Sequence, residues 1–529
     1  MAELSVRAQL HNGESASLTV PLGAGETHVT LPLRGMLREV TARLPLSLEA
    51  GEKIFMNGFQ SWTACPEYGA KDSIRSLRHL PRAAIERFGI DRYGDYYFVD
   101  YPERPGVTHG VSYCYFRLGE RFRLLASLDE TAGYTLFQYD ANAGELRARR
   151  DCEGLCVDGD FPAFDLFYAE GGEDEVFDAW FAAMGVRCRT AEKLAGYSSW
   201  YDRYENISER TIRDDLAGCA SVLRPRDLFQ IDDGWEPSVG DWLETDPKKF
   251  PNGLKPLADE IHAHGLRAGL WLAPFAASRR SRLFSEHPDW LYRRDGRPWY
   301  AGMTWGGFFA LDFDHPEVRA YLKKVFSRVF DDWGVDLVKL DFLYAAAPFG
   351  SACETRAGRM RRAMALLREL CGDKLILGCG VPLMPAFGQV EYCRVGCDMT
   401  LDWDNNLVMR HTNRERPSTR LSLANTVFRR ELNGRAFLSD PDVFFLREKN
   451  LRLTEEQKLT VATANALFGG IYLCSDNMGR YGKKKRELYR RLLEARGAEH
   501  IRVAADTPGL VSVTYEVGGI HKLLKIKNL

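Results

Sequence analysis

Leu337-Val338-Lys339-Leu340-Asp341 is an apolar run of strand length that ends on a lysine and an aspartate. A second run, Cys393-Arg394-Val395-Gly396-Cys397-Asp398, also closes on an aspartate. A carboxylate at the end of a buried strand is an ion at the rim of a sheet, where it adds little to folding and is well placed for chemistry. A single strand-terminal Asp is explained equally well as a cap on the following loop. The reading therefore turns on how many strand ends behave alike.

Eight candidate strands follow residue 190, at 195–200, 227–232, 267–273, 336–341, 374–379, 393–398, 436–439 and 469–475. Helical patterns at 208–222, 316–330, 354–370, 418–432, 454–466 and 483–495 separate most of them. Short apolar strands alternating with helices indicate βα units around a parallel sheet, and eight such strands close a (β/α)8 barrel. The fifth-to-sixth connection is too short for a full helix. Before residue 190, the runs 16–20, 28–33, 96–99 and 122–126 alternate in polarity and are separated by Gly, Asn, Asp and Pro. That is the texture of an antiparallel sandwich. After residue 495 the alternation returns, at 509–516 and 519–526. The expected organisation is an N-terminal antiparallel β-sandwich over 1–190, a central (β/α)8 TIM barrel over 191–497 and a short C-terminal β appendage over 498–529.

Composition removes several function classes. The 529 residues carry 71 basic and 73 acidic side chains, a net charge of −2, which creates no field for nucleic acid or an anionic membrane. The basic run 480–496 interleaves Leu, Tyr and Glu at helical spacing and reads as a solvated helix face. No basic n-region precedes an apolar core at the N-terminus, and no window of 18 apolar residues occurs. The 12 cysteines are scattered; Cys152 and Cys156 form a C-x3-C with no histidine or second pair nearby to complete a zinc site. A soluble, cytoplasmic protein with reduced thiols is expected. No Walker or G-x-G-x-x-G run follows a strand, so no nucleotide cofactor is expected.

Side chains at the C-terminal ends of barrel strands converge on one mouth. Here those ends read Trp200, then Asp232-Asp233-Gly234-Trp235, Trp271-Leu272-Ala273-Pro274, Lys339 with Asp341, Cys379-Gly380, Arg394 with Asp398, Ser439-Asp440-Pro441-Asp442, and Ser475-Asp476. Carboxylates, a lysine, an arginine and indoles in one place suit a sugar: charged partners for hydroxyls, an aromatic face for the ring and two carboxylates for glycosidic chemistry. No histidine stands among them, so no metal site of the imidazole type is expected. Trp235, Trp242 and Trp271 are read equally as core packing.

The run Phe229-Gln230-Ile231-Asp232-Asp233-Gly234-Trp235, followed by Gly240-Asp241-Trp242, Phe250-Pro251-Asn252-Gly253-Leu254 and Gly269-Leu270-Trp271-Leu272-Ala273-Pro274, resembles glycoside hydrolase family 36, the retaining α-galactosidases. Lys339-x-Asp341 and the Arg394-x-x-x-Asp398 spacing are similar to the same clan. Asn57-Gly58-Phe59-Gln60-Ser61-Trp62 resembles the loop by which the family's β-domain reaches the barrel mouth. The resemblance implies Asp341 as nucleophile and Asp398 as general acid/base. It implies Asp232 and Asp233 on the 6-hydroxyl and the axial 4-hydroxyl, Lys339 on the 3- or 4-hydroxyl and Arg394 on the 2-hydroxyl. Trp200 would stack on the sugar, with Trp62 and Trp271 as further walls. Cys379 and Gly380 would lie near the 2-position. Larger members carry a Cys-Ser-Gly-Gly-Gly type loop after strand five where this chain has Cys379-Gly380-Val381-Pro382-Leu383, and the C-terminal β-region is brief; both features are similar to the family's short members. The implied function is cofactor-free hydrolysis of terminal α-galactosides of the melibiose or raffinose type, by a monomer or small homo-oligomer. An α-N-acetylgalactosaminidase on the same scaffold and a catalytically silent carbohydrate-binding barrel are the alternatives.

Overall fold

A computed structural model describes residues 2–404, 409–507 and 509–529. One long strand, Gly25–Pro45, organises the N-terminal part. Its first half pairs antiparallel with Cys156–Gly172, and its second half with Ala2–Leu10 and Glu145–Arg150. Gly35, at φ 135°, stands near the changeover, a backbone angle that glycine adopts without steric penalty. The two sheets thus share a strand, and Leu31, Val40, Phe116, Phe137 and Phe164 meet in one buried core between them. The expected antiparallel sandwich is present.

Two segments differ from the sequence reading. Residues 96–99 form a turn in which the N–H groups of Phe98 and Val99 both donate to Asp95 O. Neighbouring Tyr97 and Phe98 pack against each other, Tyr97 also against Trp299 and Phe349, contacts that the alternation of a strand would send to opposite faces. Glu173–Met184, inside the span assigned to the sandwich, is a helix that buries Val176, Phe177, Trp180 and Phe181.

The barrel strands are Leu194–Ser198, Leu228–Ile231, Arg267–Leu272, Leu337–Leu340, Leu375–Gly378, Tyr392–Arg394, Leu438–Asp440 and Ile471–Cys474. Each pairs in parallel with the next through the seventh, and the eighth pairs with the first. The seventh is split. Leu438–Asp440 pairs with strand six; after Pro441 and Asp442 the chain resumes as Val443–Phe444 and pairs with strand eight, closing the ring. Proline has no N–H to give, and Asp442 takes φ 71°, so the interruption is built into these two residues.

Two strand ends lie elsewhere than expected. Strand six stops at Arg394, and Asp398 belongs to the loop beyond it. Strand one stops at Ser198, and Trp200 opens a short helix, Trp200–Arg203. Between strands two and three lies a helix the pattern did not reveal, Lys255–Ala263. The fifth-to-sixth connection holds only the four-residue helix Leu383–Ala386. An insertion between strands three and four carries a small antiparallel sheet of Ala276–Ser278, Tyr300–Gly302 and Phe308–Ala310. The C-terminal appendage is a three-stranded antiparallel sheet, Glu499–Thr507, Leu510–Val517 and Ile520–Lys527. Among the described residues no helix is long and apolar enough to cross a membrane.

Candidate active site

Asp341 follows directly on strand four and is buried, 6% exposed. Its Oδ2 accepts from Trp271 Nε1 at 3.0 Å and stands 4.0 Å from Lys339 Nζ, while Oδ1 accepts from the N–H of Phe342 at 2.9 Å. Burial raises its pKa above the ordinary carboxylate value, as does the charge of Asp398; Lys339 and the Trp271 hydrogen bond work the other way. Lys339 lies two residues earlier, near the end of strand four, so the alternation of extended backbone sends both side chains to the same side. Its ammonium donates to Asp232 Oδ2 at 3.0 Å. Burial alone would lower its pKa, but Asp232 and Asp341 together hold it above the usual lysine value.

Asp232 and Asp233 follow strand two. Asp232 is gripped by Gln230 Nε2 at 2.6 Å and Lys339 on Oδ2, by the N–H of Asp233 at 3.1 Å on Oδ1, and its own N–H donates to Ser199 Oγ at 2.9 Å. Asp233 Oδ2 accepts from Trp305 Nε1 at 2.8 Å. Burial lifts the Asp233 pKa well above the ordinary carboxylate value, reinforced by the neighbouring Glu236.

On the opposite side, Arg394 ends strand six inside a ring of acids. Its Nη1 donates to Asp398 Oδ1 at 2.9 Å, Nε to Asp440 Oδ2 at 3.0 Å and Nη2 to Asp442 Oδ1 at 2.9 Å. Asp440 and Asp442 are sealed, whereas the Asp398 side chain is 37% exposed. Asp442 also accepts from Tyr201 Oη and from the N–H of Met399, and is pushed up to about 6, by burial first. Three of the five guanidinium N–H groups are thus committed to carboxylates.

Trp62 arrives from the N-terminal domain. Its indole N–H donates to Cys379 Sγ at 3.3 Å, and its ring meets Phe342 edge-on at 5.0 Å. The loop is fastened to the barrel by the buried Arg429, which donates to Asn57 Oδ1 at 3.1 Å and Ser61 O at 2.7 Å, and by Asn425, which binds Thr63 O at 2.8 Å. Gly380, at φ 55°, lies under Trp62: a Cβ there would stand 2.9 Å from the indole. Cys379 is buried, which raises its thiol well above the usual value. Trp200 is half-buried and meets Tyr204 edge-on at 5.2 Å. Trp271 serves core and site together, meeting Trp242 and Trp305 edge-on while holding Asp341. Trp235 and Trp242 are fully buried.

The structure therefore brings Asp232, Asp233, Trp271, Lys339, Asp341, Cys379, Gly380 and Trp62 into one set of contacts and ties Arg394 to Asp398 in a second, near enough for the Asp398 charge to act on Asp341, with Trp200 on the helix after strand one. Sequence reasoning missed Trp305 and Tyr201 as members, and it set Asp440 and Asp442 at the mouth without giving them a role. Trp305 sits on the insertion with φ 57°, flanked by Gly306 and Gly307, and no periodicity marks such a loop. The Asp440-Pro441-Asp442 cluster at a strand end is what put those two acids at the mouth.

A model of the family described as Melibiase matches residues 198–366. Among curated proteins, an α-galactosidase of Escherichia coli is 34% identical over 152 residues, 27% of this chain and 21% of its own length. The α-galactosidase AgaA of Geobacillus stearothermophilus is 30% identical over 171 residues, 31% of this chain and 23% of its own. The chain thus matches less than a quarter of the length of these two curated relatives. Solved structures extend the likeness. TtGalA, an α-galactosidase from Thermus thermophilus in complex with stachyose, is 30% identical with a TM-score of 0.72, covering 90% of this chain and 97% of that one. The same protein with p-nitrophenyl α-D-galactopyranoside gives 0.74 at 28% identity over 95% and 99%. At 13% identity the family 36 enzyme AgaA shares the fold, with a TM-score of 0.60 over 97% of this chain and 79% of its own. With a fold, motifs and near-full-length relative in agreement, the chain belongs to glycoside hydrolase family 36, the melibiase family.

Proposed function

We propose that this chain is a retaining α-galactosidase, acting by double displacement on terminal α-galactosyl residues of small oligosaccharides of the melibiose or raffinose type. The observation that carries the reading is two unlike carboxyls near enough for the charge of one to act on the other: Asp341, buried between Lys339 and Trp271, and Asp398, half-buried on its loop and tied to Arg394. In the first step Asp341 attacks the anomeric carbon as the bond to the leaving oxygen breaks, and Asp398 gives that oxygen its proton. In the second, water attacks the same carbon, passes a proton to Asp398 and releases Asp341. Lys339 and the indole N–H of Trp271 stabilise Asp341 in its ionised form. Asp232 and Asp233 bind the 6-hydroxyl and the axial 4-hydroxyl, with Lys339 beside them. Arg394 orients Asp398 and has two N–H groups left for the 2-hydroxyl. Trp200 and Trp62 form walls, and Cys379 and Gly380 bound the 2-position. The ligands of the Thermus thermophilus structures, an aryl α-galactoside and stachyose, support this substrate class. Unpaired, largely buried cysteines such as Cys65, Cys114 and Cys393 support a cytoplasmic setting.

The test is hydrolysis of aryl α-galactoside, α-N-acetylgalactosaminide and β-galactoside, with the first-formed anomer followed by NMR. The α-galactoside should be turned over fastest and should release α-galactose first. β-Galactose as the first product would overturn retention, and faster turnover of the acetamido sugar would overturn the substrate assignment.

A further inference from the structure

Asp398 closes the run 395–398 beyond strand six, and one stripe of a single helix lies along that run. The helix is Thr419–Phe428, with Ser418 as its N-cap. The N–H of Ser418 donates to Asp398 O at 2.8 Å. Ser422 packs against Gly396, where a Cβ would stand 3.0 Å from its Oγ and 3.1 Å from its Cα. Asn425 Nδ2 and Arg429 Nη1 both donate to Val395 O, each at 2.9 Å. The spacing of Ser418, Ser422, Asn425 and Arg429 puts them on one face.

The same face grips the loop that carries Trp62. Asn425 Nδ2 donates also to Thr63 O at 2.8 Å, and its Oδ1 accepts from the N–H of Cys65 at 2.8 Å. Arg429 Nε donates to Asn57 Oδ1 at 3.1 Å, Nη1 to Ser61 O at 2.7 Å, and Nη2 to Gln60 O and Gly58 O at 3.3 and 3.5 Å. Every oxygen to which this buried guanidinium donates is neutral. A buried charge held without a carboxylate is costly, and apolar groups would fasten a loop as well or better. What the planar fork adds is direction: it sets the N-terminal loop and the backbone next to Arg394 in one geometry.

We propose that Asn425 and Arg429 are positioning residues through which the Trp62 loop of the N-terminal domain fixes the place of Asp398, so that loosening that loop weakens proton donation to the leaving group. The inference rests on the α-galactosidase reading. Val395 follows Arg394, which holds the Asp398 carboxyl, while Ser418 holds the Asp398 backbone. Freed at Val395, the run shifts against the helix, and a displacement of about 1 Å at a reacting group costs on the order of a hundredfold in rate. Asp341 takes its hydrogen bonds from Trp271 and the N–H of Phe342, outside this set.

The test compares kcat/KM, which reports the first step, on dinitrophenyl and phenyl α-galactosides for wild type, Asn57→Ala, Asn425→Ala and Arg429→Lys, with folding checked by thermal melts. The dinitrophenyl group leaves with little protonation, so its rate is insensitive to a displaced acid. Asn425→Ala should lose about thirtyfold on the phenyl galactoside and no more than about threefold on the dinitrophenyl one. Arg429→Lys keeps the charge without the fork and should match it. Asn57→Ala removes one acceptor in the N-terminal domain alone and should show the same selectivity, about tenfold against about twofold. Where Asn425→Ala or Arg429→Lys does not fold, Asn57→Ala decides alone. Equal losses on the two galactosides, or none, would overturn this inference and leave the galactosidase reading standing. A wild-type chain without α-galactoside turnover would overturn both.

Discussion

Arg394 Nη1 lies 2.9 Å from Asp398 Oδ1, and the same guanidinium reaches the buried Asp440 and Asp442 at 3.0 and 2.9 Å. The half-buried carboxyl is therefore one arm of a clamp whose other two arms are sealed in the barrel. Lysine has no planar fork to serve three acceptors at once. Arg394→Lys should destabilise the fold by about 3 kcal/mol, because it leaves buried carboxylates short of a partner. Thermal or urea unfolding checks this. A variant as stable as wild type would show that the clamp contributes nothing to folding.

Asp341 gives two linked expectations. Asp341→Asn should lose about three orders of magnitude or more in turnover and still bind galactose, since an amide cannot attack the anomeric carbon. Its stability should move the opposite way. A buried carboxyl whose folded pKa is raised contributes stability below its unfolded value near 4, and that contribution is lost as pH rises through the folded value. At neutral pH the ionised group is thus a burden that asparagine removes. Melting temperatures at about pH 4 and about pH 7.5 should show the variant gaining on wild type as pH rises.

Asp398→Ala should retain much of its first-step rate on dinitrophenyl galactoside, whose leaving group needs little protonation, and lose far more on the parent sugar. Azide should restore turnover of the activated substrate and yield the α-galactosyl azide, because a small anion needs no base. Equal losses on all leaving groups, with no azide product, would make Asp398 a binding residue.

Substrate choice should follow from Asp232 and Asp233, both buried and both already hydrogen-bonded. The equatorial epimer leaves a buried acceptor without its hydroxyl. Galactosides should therefore exceed glucosides in kcat/KM by a factor of about a thousand. Comparable kcat/KM values for the two aryl glycosides would remove this pair from sugar recognition.

The eight barrel strands were legible because buried parallel strands must be short apolar runs, and because charge is tolerated only at their ends. The same rule misplaced Asp398: Val395 and Cys397 are buried and apolar, so the run looked like a strand, although pairing stops at Arg394. Residues 96–99 failed for a related reason, since aromatic side chains pack as well in a turn as in a sheet. Trp305 lay beyond reach because its position depends on a loop's backbone angles, not on any period.

The ring of strands is joined at a place where one strand changes neighbours. Asp440 ends the half bound to strand six, and Asp442 leads into the half bound to strand eight. Parting the seam would draw these two acids in different directions and pull the guanidinium between them out of register. The barrel's seam and the support for the half-buried Asp398 are then the same few atoms. Amide exchange at the seam, at the Ser475 N–H that faces Phe444 O for example, should run in step with heat inactivation, since a molecule that begins to unzip there has already loosened the guanidinium that holds Asp398.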